Sequence, residues 1–398
     1  MQNKLRKHPL GEISYVIRGV SFNRAEGSSS PVHNHIPILR AGNIQDNLIT
    51  DKDLVWVPTS RVSQQQYIKK SDLIMCTSSG SAHIVGKCAM AESDLNESFG
   101  AFCVNIRAKK GKCNSHYLLH FLRSPAFTNW SKGSAGINIK NIRKSELEAF
   151  LIPLPPLNEQ KYIASILDKA DAIRRKRRQA IKLADEFLRS VFLDMFGDPV
   201  TNPKGYNSVL LGDLVEIISG GTPSKAEKSF WNGMFPWVSP KDMKSIIIND
   251  SIDKISENVF SETPLKRIPQ KSILIVIRGM ILVHTIPIAI TEKEVAINQD
   301  IKALIPKQSI VPQFLLWSLI ILHNFLLSKV STAAHGTKRL DMESLRNIDI
   351  LLPTIVQQYQ FVEIANKFSS VKSGQTLSLE QNKAMFNSLS QRAFRGEL

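Results

Sequence analysis

The sequence predicts an α+β protein built as a tandem of two similar α/β domains, each followed by a long helix. Three observations carry this. Segments of one half recur in the other at offsets between 198 and 201 residues. Within each half, short β-like segments precede helical ones. Each half then leaves its domain through a proline-containing segment placed directly before a strongly helical run: "LIPLPPLNEQKYIASI" from Leu151 and "ILLPTIVQQYQFVEI" from Ile350. A period this long marks a duplicated domain, because solenoid repeats recur every ~20–50 residues.

The recurrence can be followed in order. "PLGEISYVIRG" at Pro9 is answered by "LLGDLVEIISG" at Leu210, and "KSDLIM" at Lys70 by "KSILIV" at Lys271. "ELEAFLIPLPPLNEQ" at Glu146 is answered by "SLRNIDILLPTIVQQ" at Ser344. In the first copy, strands are expected at residues 36–39, 73–76 and 102–106, separated by turn residues such as "SSGS". A helix follows in each copy ("HYLLHFLRS" at His116, "QFLLWSLIILHNFLL" at Gln313), then a loop, then the exit. The domains are expected at residues 1–157 and 198–355, with helices over 158–197 and 356–398.

The first long helix has Asn158 as an N-cap, Glu159 at its positive end, and a stop at Gly197 and Pro199. Ile163, Ile166, Ala170, Ile173, Arg177, Ala180, Ala184, Phe187 and Val191 are spaced alternately three and four, a heptad seam. The second begins in the same register with Phe361, Ile364, Phe368 and Val371, and its stripe resumes shifted after Gly374. Such a stripe needs cover. The other helix is the nearest candidate; the helix's own domain is the alternative.

Composition bounds the function. The chain has 398 residues, 43% of them hydrophobic, and a formal net charge of +16. The basic excess falls on both halves, 29 against 18 in residues 1–198 and 22 against 17 thereafter, which favours a polyanionic partner, nucleic acid first. No apolar leader opens the sequence. Its most apolar run, "FLLWSLIILHNFLL", is interrupted by His323 and Asn324 and too short to span a bilayer, so no membrane role is expected. Cys76, Cys88, Cys103 and Cys113 lack paired spacing and occur in one copy only, which points away from a disulfide or zinc framework and towards the cytoplasm.

Catalytic motifs fail on inspection. "GSAHIVGKC" places Gly80 and Gly86 one residue too far apart for a phosphate loop, and Cys88 stands where Ser or Thr would hold magnesium. His116 and His120 have the spacing of metal ligands on a helix, but Tyr117 occupies the general-base position. Asp300 and Lys302 form an acid-x-Lys pair absent from the first copy, better read as a polar strand edge. "RRKRR" at Arg174–Arg178 suits phosphate contact, a solvated face or a docking surface.

Against that background the chain resembles the specificity subunits of type I restriction-modification enzymes along essentially its whole length. The most specific parts are "IPLPPLNEQKYIASILDKADAI", "FLRSVFLDMFGDP" and "LSQRAFRGEL"; the second exit departs by lacking the double proline and the Glu. The resemblance implies two target recognition domains, each reading one half of a bipartite double-stranded DNA site, and two helices forming an antiparallel coiled coil. It implies no catalytic, metal or cofactor residues in this chain. S-adenosylmethionine would be held by two modification (adenine methyltransferase) subunits, and ATP with magnesium by restriction subunits. A lone nuclease or methyltransferase, and a scaffold without base contacts, are the competing functions.

Polar, glycine-containing loops recur at matching places in both copies, and loops on a rigid scaffold carry recognition. The expected DNA-contacting side chains are Arg18, Arg24, Ser78, Ser79, His83, Asn138 and Lys140 in the first copy. In the second they are Thr222, Lys225, Arg278, His284, Lys338 and Arg339.

Overall fold

The computed structural model describes residues 5–81, 83–133, 140–332 and 336–397. They form two compact units: Met1–Gln179 with Thr376–Leu398, and Ala180–Gln375. Each is built on an antiparallel sheet with the same strand order. In the first unit the order is Ser14–Arg18, Cys103–Ala108, Leu73–Cys76 and Cys88–Met90. In the second it is Val215–Ser219, Ile301–Pro306, Ile273–Val276 and Ile288–Thr291, extended by a short parallel strand, Ile247–Ile248.

The strands Leu73–Cys76 and Ile273–Val276 are buried at every residue, which is why each reads as an unbroken apolar run. A smaller three-stranded sheet accompanies each large one: Val55–Pro58, His35–Leu39 and Ser98–Phe99, and correspondingly Asp253–Ile255, Phe235–Val238 and Ala296–Ile297. The expected strands at 36–39, 73–76 and 102–106 are thus present. The apolar run from Phe314 differs from expectation: it divides at Leu322 into Pro312–Ile321 and His323–Ser328. His323 Nε2 there accepts from the Ile286 amide at 3.2 Å. Among the described residues no helix is long and apolar enough to cross a membrane.

The repeated exit has a mechanical purpose. Leu151–Pro153 pairs antiparallel with Lys7–Pro9, the entry to the first domain, and Asp349–Leu351 pairs in the same way with Ser208–Leu210. Flanking bonds repeat too: the Leu10 amide donates to Phe150 O (2.9 Å) and the Leu211 amide to Ile348 O (2.8 Å). One turn into each long helix stands a glutamine that is 1% exposed, Gln160 or Gln358. Gln160 Oε1 accepts from the Asn114 amide (2.8 Å), while its Nε2 donates to Lys112 O (3.2 Å) and Pro155 O (2.8 Å). Gln358 Oε1 accepts from the Val311 amide (2.8 Å), and its Nε2 donates to Pro353 O (3.0 Å) and Ser309 O (3.5 Å). The second exit therefore keeps the first one's anchor without its double proline or its Glu.

The long helices are Leu157–Phe196 and Ile355–Arg395, the second passing through Gly374 without a break. Each unit takes the beginning of one helix and the end of the other, running antiparallel. In the second unit Phe187 lies against Phe368 (4.5 Å between ring centroids) and Phe192 against Phe361 (5.3 Å). In the first, the Arg174 guanidinium lies over Phe386 at 4.9 Å. Domain burial accompanies the helix pairing. Ile163, Ala164 and Leu167 are buried in the first core, and Leu188, Phe192 and Phe196 in the second. The edge-on contacts of Phe394 with Phe121 (4.9 Å) and Tyr117 (5.4 Å) close the first core.

A carboxylate ties the first of these helices to its domain. Asp168 lies 2.7 Å from His120 Nε2 and 2.8 Å from His116 Nδ1, so the two histidines share an acid. Burial pushes the Asp168 carboxyl up, but the His120 hydrogen bond and the charges of both histidines outweigh it and hold the group below its ordinary value. The basic run is engaged as well: Arg174 and Arg175 pair with Asp171, and Arg178 with Asp46 (2.9 Å).

Two outcomes are expected. Gln160→Leu or Gln358→Leu strands one amide and two carbonyls and should lower stability by roughly 1–3 kcal/mol, seen as a lower Tm in a thermal melt. Equal tolerance of leucine at both positions contradicts the anchor. Asp168 has a depressed carboxyl, so its contribution is present above its unfolded value, near pH 4, and is lost as pH falls through the lower folded value. Asp168→Asn should accordingly flatten the acid limb of a stability–pH curve, and an unchanged limb argues against the clamp.

Candidate nucleic-acid interface

In both units the polar loops gather at one end of the large sheet. The strand register brings Arg18 opposite Val104 and Cys76 opposite Cys103. The chain then leaves the sheet: the Thr77 and Ser78 amides both donate to Phe102 O, at 2.9 and 3.2 Å. Ser78–Ser79 pairs antiparallel with Lys140–Asn141, so two loops far apart in sequence form one ribbon.

The second copy repeats the construction. Ser219 faces Lys302 and Val276 faces Ile301. The Ile277 amide donates to Asp300 O (2.8 Å), the Leu340 amide to Ile277 O (2.9 Å) and the Gly279 amide to Lys338 O (3.0 Å). An antiparallel bridge sets Arg278 opposite Arg339.

Side chains at this end differ between the copies. In the second, Arg278 Nε donates to Asp300 Oδ1 at 2.8 Å, and Asp300 is steadied by Asn298 Nδ2 at 3.2 Å. The Thr222 hydroxyl bonds Gln299, the neighbour of Asp300. Lys302 Nζ donates to Ser219 Oγ at 2.5 Å. Burial first, then the positive charge of Arg339, hold the Lys302 ammonium below the usual lysine range. Positive charge is thus concentrated here beyond what Asp300 can offset, and a group of anionic oxygens would relieve it. Asp300 and Lys302 turn to different partners and do not act as a pair.

Of the residues expected from sequence, Arg18, Ser78, Ser79 and the Lys140 backbone come together in the first unit. Thr222, Arg278, Lys338 and Arg339 do so in the second. Arg24 is exposed on a separate turn, Arg24–Glu26, beside the smaller sheet. His83 and Lys225 are exposed with no described side-chain contact to the ribbon, and His284 ends the turn that follows Gly279. Asn138 lies outside the described residues.

Three further features escaped the polar-loop criterion. Phe102, 67% exposed, stands in the first copy where Asp300 stands in the second. The turn Met280–Val283 carries three exposed apolar side chains beside the cationic cluster. The four cysteines are buried free thiols, and burial pushes the Cys88 and Cys113 thiols up to about 12. They are packing residues, not nucleophiles.

Comparison with known proteins is consistent along the chain. A family model described as the type I restriction modification DNA specificity domain matches residues 6–183 and again residues 203–381. The chain is 28% identical over 429 aligned positions to the specificity subunit of the type I restriction enzyme StySPI of Salmonella potsdam, covering 98% of this chain and 88% of that protein. It is 35% identical over 188 positions to the EcoKI specificity subunit of Escherichia coli strain K12, covering 46% of this chain and 40% of that one.

Among solved structures, the S subunit of a type I restriction-modification system from M. genitalium is similar over 99% of this chain and 97% of its own, with a TM-score of 0.59 at 16% identity. A chain solved in work on complex assembly and conformational transition of the type I R-M system is similar over 100% of this chain and 99% of its own, with a TM-score of 0.53 at 19% identity. At such identities the structural likeness speaks for the fold.

Proposed function

The chain belongs to the type I restriction modification DNA specificity family, and from that premise we propose how it reads DNA: each copy recognises one half of a bipartite double-stranded site through the ribbon at the end of its sheet. It is the non-catalytic recognition subunit of its system, and it assembles with the partners of a restriction-modification complex. The reading domains are residues 1–157 and 198–355, and the helices over 158–197 and 356–398 present them. Two adenine-methylating subunits dock on the chain, restriction subunits join for cleavage, and S-adenosylmethionine and ATP belong to those partners. The setting is the cytoplasm, with which four buried free thiols agree.

The observation that carries this reading is the ribbon's double occurrence. One backbone construction appears at the same sheet end in both copies while its side chains differ, Ser78 and Phe102 in one against Arg278 and Asp300 in the other. A common frame with different faces suits two different half-sequences. The cationic cluster supplies attraction to phosphates irrespective of sequence, and base edges must supply the rest. Arg278, oriented through its Nε by Asp300, is the best-placed side chain for a guanine, whose two acceptors match a guanidinium. Arg18, Arg24, Ser78, Ser79, His83, Asn138 and Lys140 are the proposed first-copy contacts. Thr222, Lys225, His284, Lys338 and Arg339 join Arg278 in the second.

Exchanging residues 198–355 for the matching segment of another family member should change one half of the methylated motif, as mapped from modified adenines in a host genome. A change in both halves, or in neither, refutes the division of labour. Arg278→Ala should cost about 1–3 kcal/mol of binding and relax specificity at one position of one half-site. Lys338→Ala should weaken all sequences alike and lower the salt slope by about 0.9 for each phosphate it no longer neutralises. Titrations of the modification complex at several salt concentrations separate the two behaviours.

A further inference from the structure

The apolar turn beside the cationic cluster has no packing role that explains it. In Met280–Val283 only Leu282 is anchored in the core, at 1% exposure, while Met280, Ile281 and Val283 are 63%, 43% and 42% exposed. Gly279 precedes the turn at φ +137, a backbone conformation that side-chain-bearing residues rarely adopt, and its amide is fixed to Lys338 O at 3.0 Å. The turn is therefore held at both ends, by Leu282 below and by the ribbon beside it. The turn lies beside the strand Lys338–Arg339 and follows on Arg278 and Gly279, so its exposed apolar side chains and the cations share one edge. The aligned stretch of the first copy, residues 80–83, is "GSAH", polar and small.

Exposed apolar side chains are costly to leave in water, at roughly 25 cal/mol per Å² of apolar surface. Solvent alone gives no reason to keep three on a constrained turn. Cations on the same edge select a polyanion, and a polyanion that also offers apolar surface at base level is duplex DNA read in the major groove. There the thymine C5-methyl is the apolar mark, and aliphatic side chains are its partners.

We propose that Met280, Ile281 and Val283 read thymine methyl groups, making the half-site of the second domain the more dependent on methyl contacts, since the first offers the single exposed Phe102 at that end. This rests on the reading of the chain as a bipartite DNA reader and adds the chemistry of one half-site. Arg278 and the turn then divide the work: hydrogen bonding to a purine edge beside van der Waals contact with a neighbouring methyl.

The test uses the assembled modification complex and duplexes carrying its mapped motif. Every thymine of one half-site is replaced by deoxyuridine, which removes the methyl and keeps the base pair. Substitution in the second domain's half-site, identified by domain exchange, should weaken binding roughly fourfold per contacted methyl. The same substitution in the other half should have the smaller effect, because one exposed apolar side chain, Phe102, stands there against three. The triple variant Met280→Ser, Ile281→Ser, Val283→Ser spares buried Leu282; it should bind thymine and deoxyuridine duplexes equally while still preferring the motif over scrambled DNA.

Sensitivity confined to the first half, or no sensitivity in either half, overturns the methyl assignment and leaves the bipartite reading standing. So does a triple variant that loses affinity while wild type ignores deoxyuridine, as a minor-groove wedge would. Loss of all preference for the motif by wild-type complex would instead overturn the bipartite reading itself.

Discussion

Everything in each unit depends on the chain leaving a domain where it entered. The antiparallel pairing of Leu151–Pro153 with Lys7–Pro9, and of Asp349–Leu351 with Ser208–Leu210, closes each domain into a loop with a fixed mouth. Gln160 and Gln358 then fasten the first helical turn to that mouth by bonding backbone on both sides of it. A neutral amide suits the place because it donates and accepts at once. A buried carboxylate would leave carbonyl groups unmatched, and an apolar residue would leave all three partners unmatched. The helix inherits a defined starting point, and the proposed reading loops of the same unit stand at one end of its large sheet.

The second requirement is closure of the cores. Neither domain buries its apolar face with its own residues alone. Phe394 and Ala393, from the far end of the second long helix, belong to the core that contains Tyr117 and Phe121. Phe192 and Phe196, from the end of the first, belong to the core around Phe314 and Phe361. Each long helix is thus anchored by its first turns in one unit and by its last turns in the other, with Phe187–Phe368 and Arg174–Phe386 as helix-to-helix contacts within the separate units. The alternatives left open by the heptad spacing, a partner helix or the helix's own domain, are both realised at different points along it.

What could be read from sequence was what repeats. Offsets of about two hundred residues exposed the duplication, the strands and the exits, because backbone construction constrains both copies alike. Pairings between residues distant in the chain and unique to one copy could not be read. The metal-like spacing of His116 and His120 gave no hint of Asp168, and the run Arg174–Arg178 gave none of Asp46 or Phe386. The helix through Gly374 is a further instance: it runs unbroken through a residue that costs about 1 kcal/mol in a helix interior, between stretches held by the contacts of Phe368 and Phe386. For the candidate site, polarity and glycine content found the ribbon loops but passed over Phe102 and Met280–Val283, since an apolar residue in a loop is expected to be buried, and these are not.

The contrast between frame and face explains how one fold can hold two unlike readers. Buried positions have been kept similar in kind where they set the backbone. The anchoring glutamines, the buried central strands and the ribbon bonds recur at nearly constant offsets. Even within the sheet, equivalent tasks are met by different chemistry. Buried Asp72 accepts from Asn105 (2.6 Å) and Arg107 (2.7 Å) in the first copy, where the second places Ser272 and Thr291, bonded at 3.1 Å. At the solvent end packing restrains few positions, Leu282 among them, and there the copies part, with Phe102 against Asp300 and the "GSAH" stretch against Met280–Val283. Because that end is held through backbone hydrogen bonds, its side chains can change without disturbing the ribbon that presents them. Substitution at a few exposed positions can therefore change the face that the ribbon offers, which under the proposed reading changes the half-site, while the pairing at the mouth and the buried core stay in place.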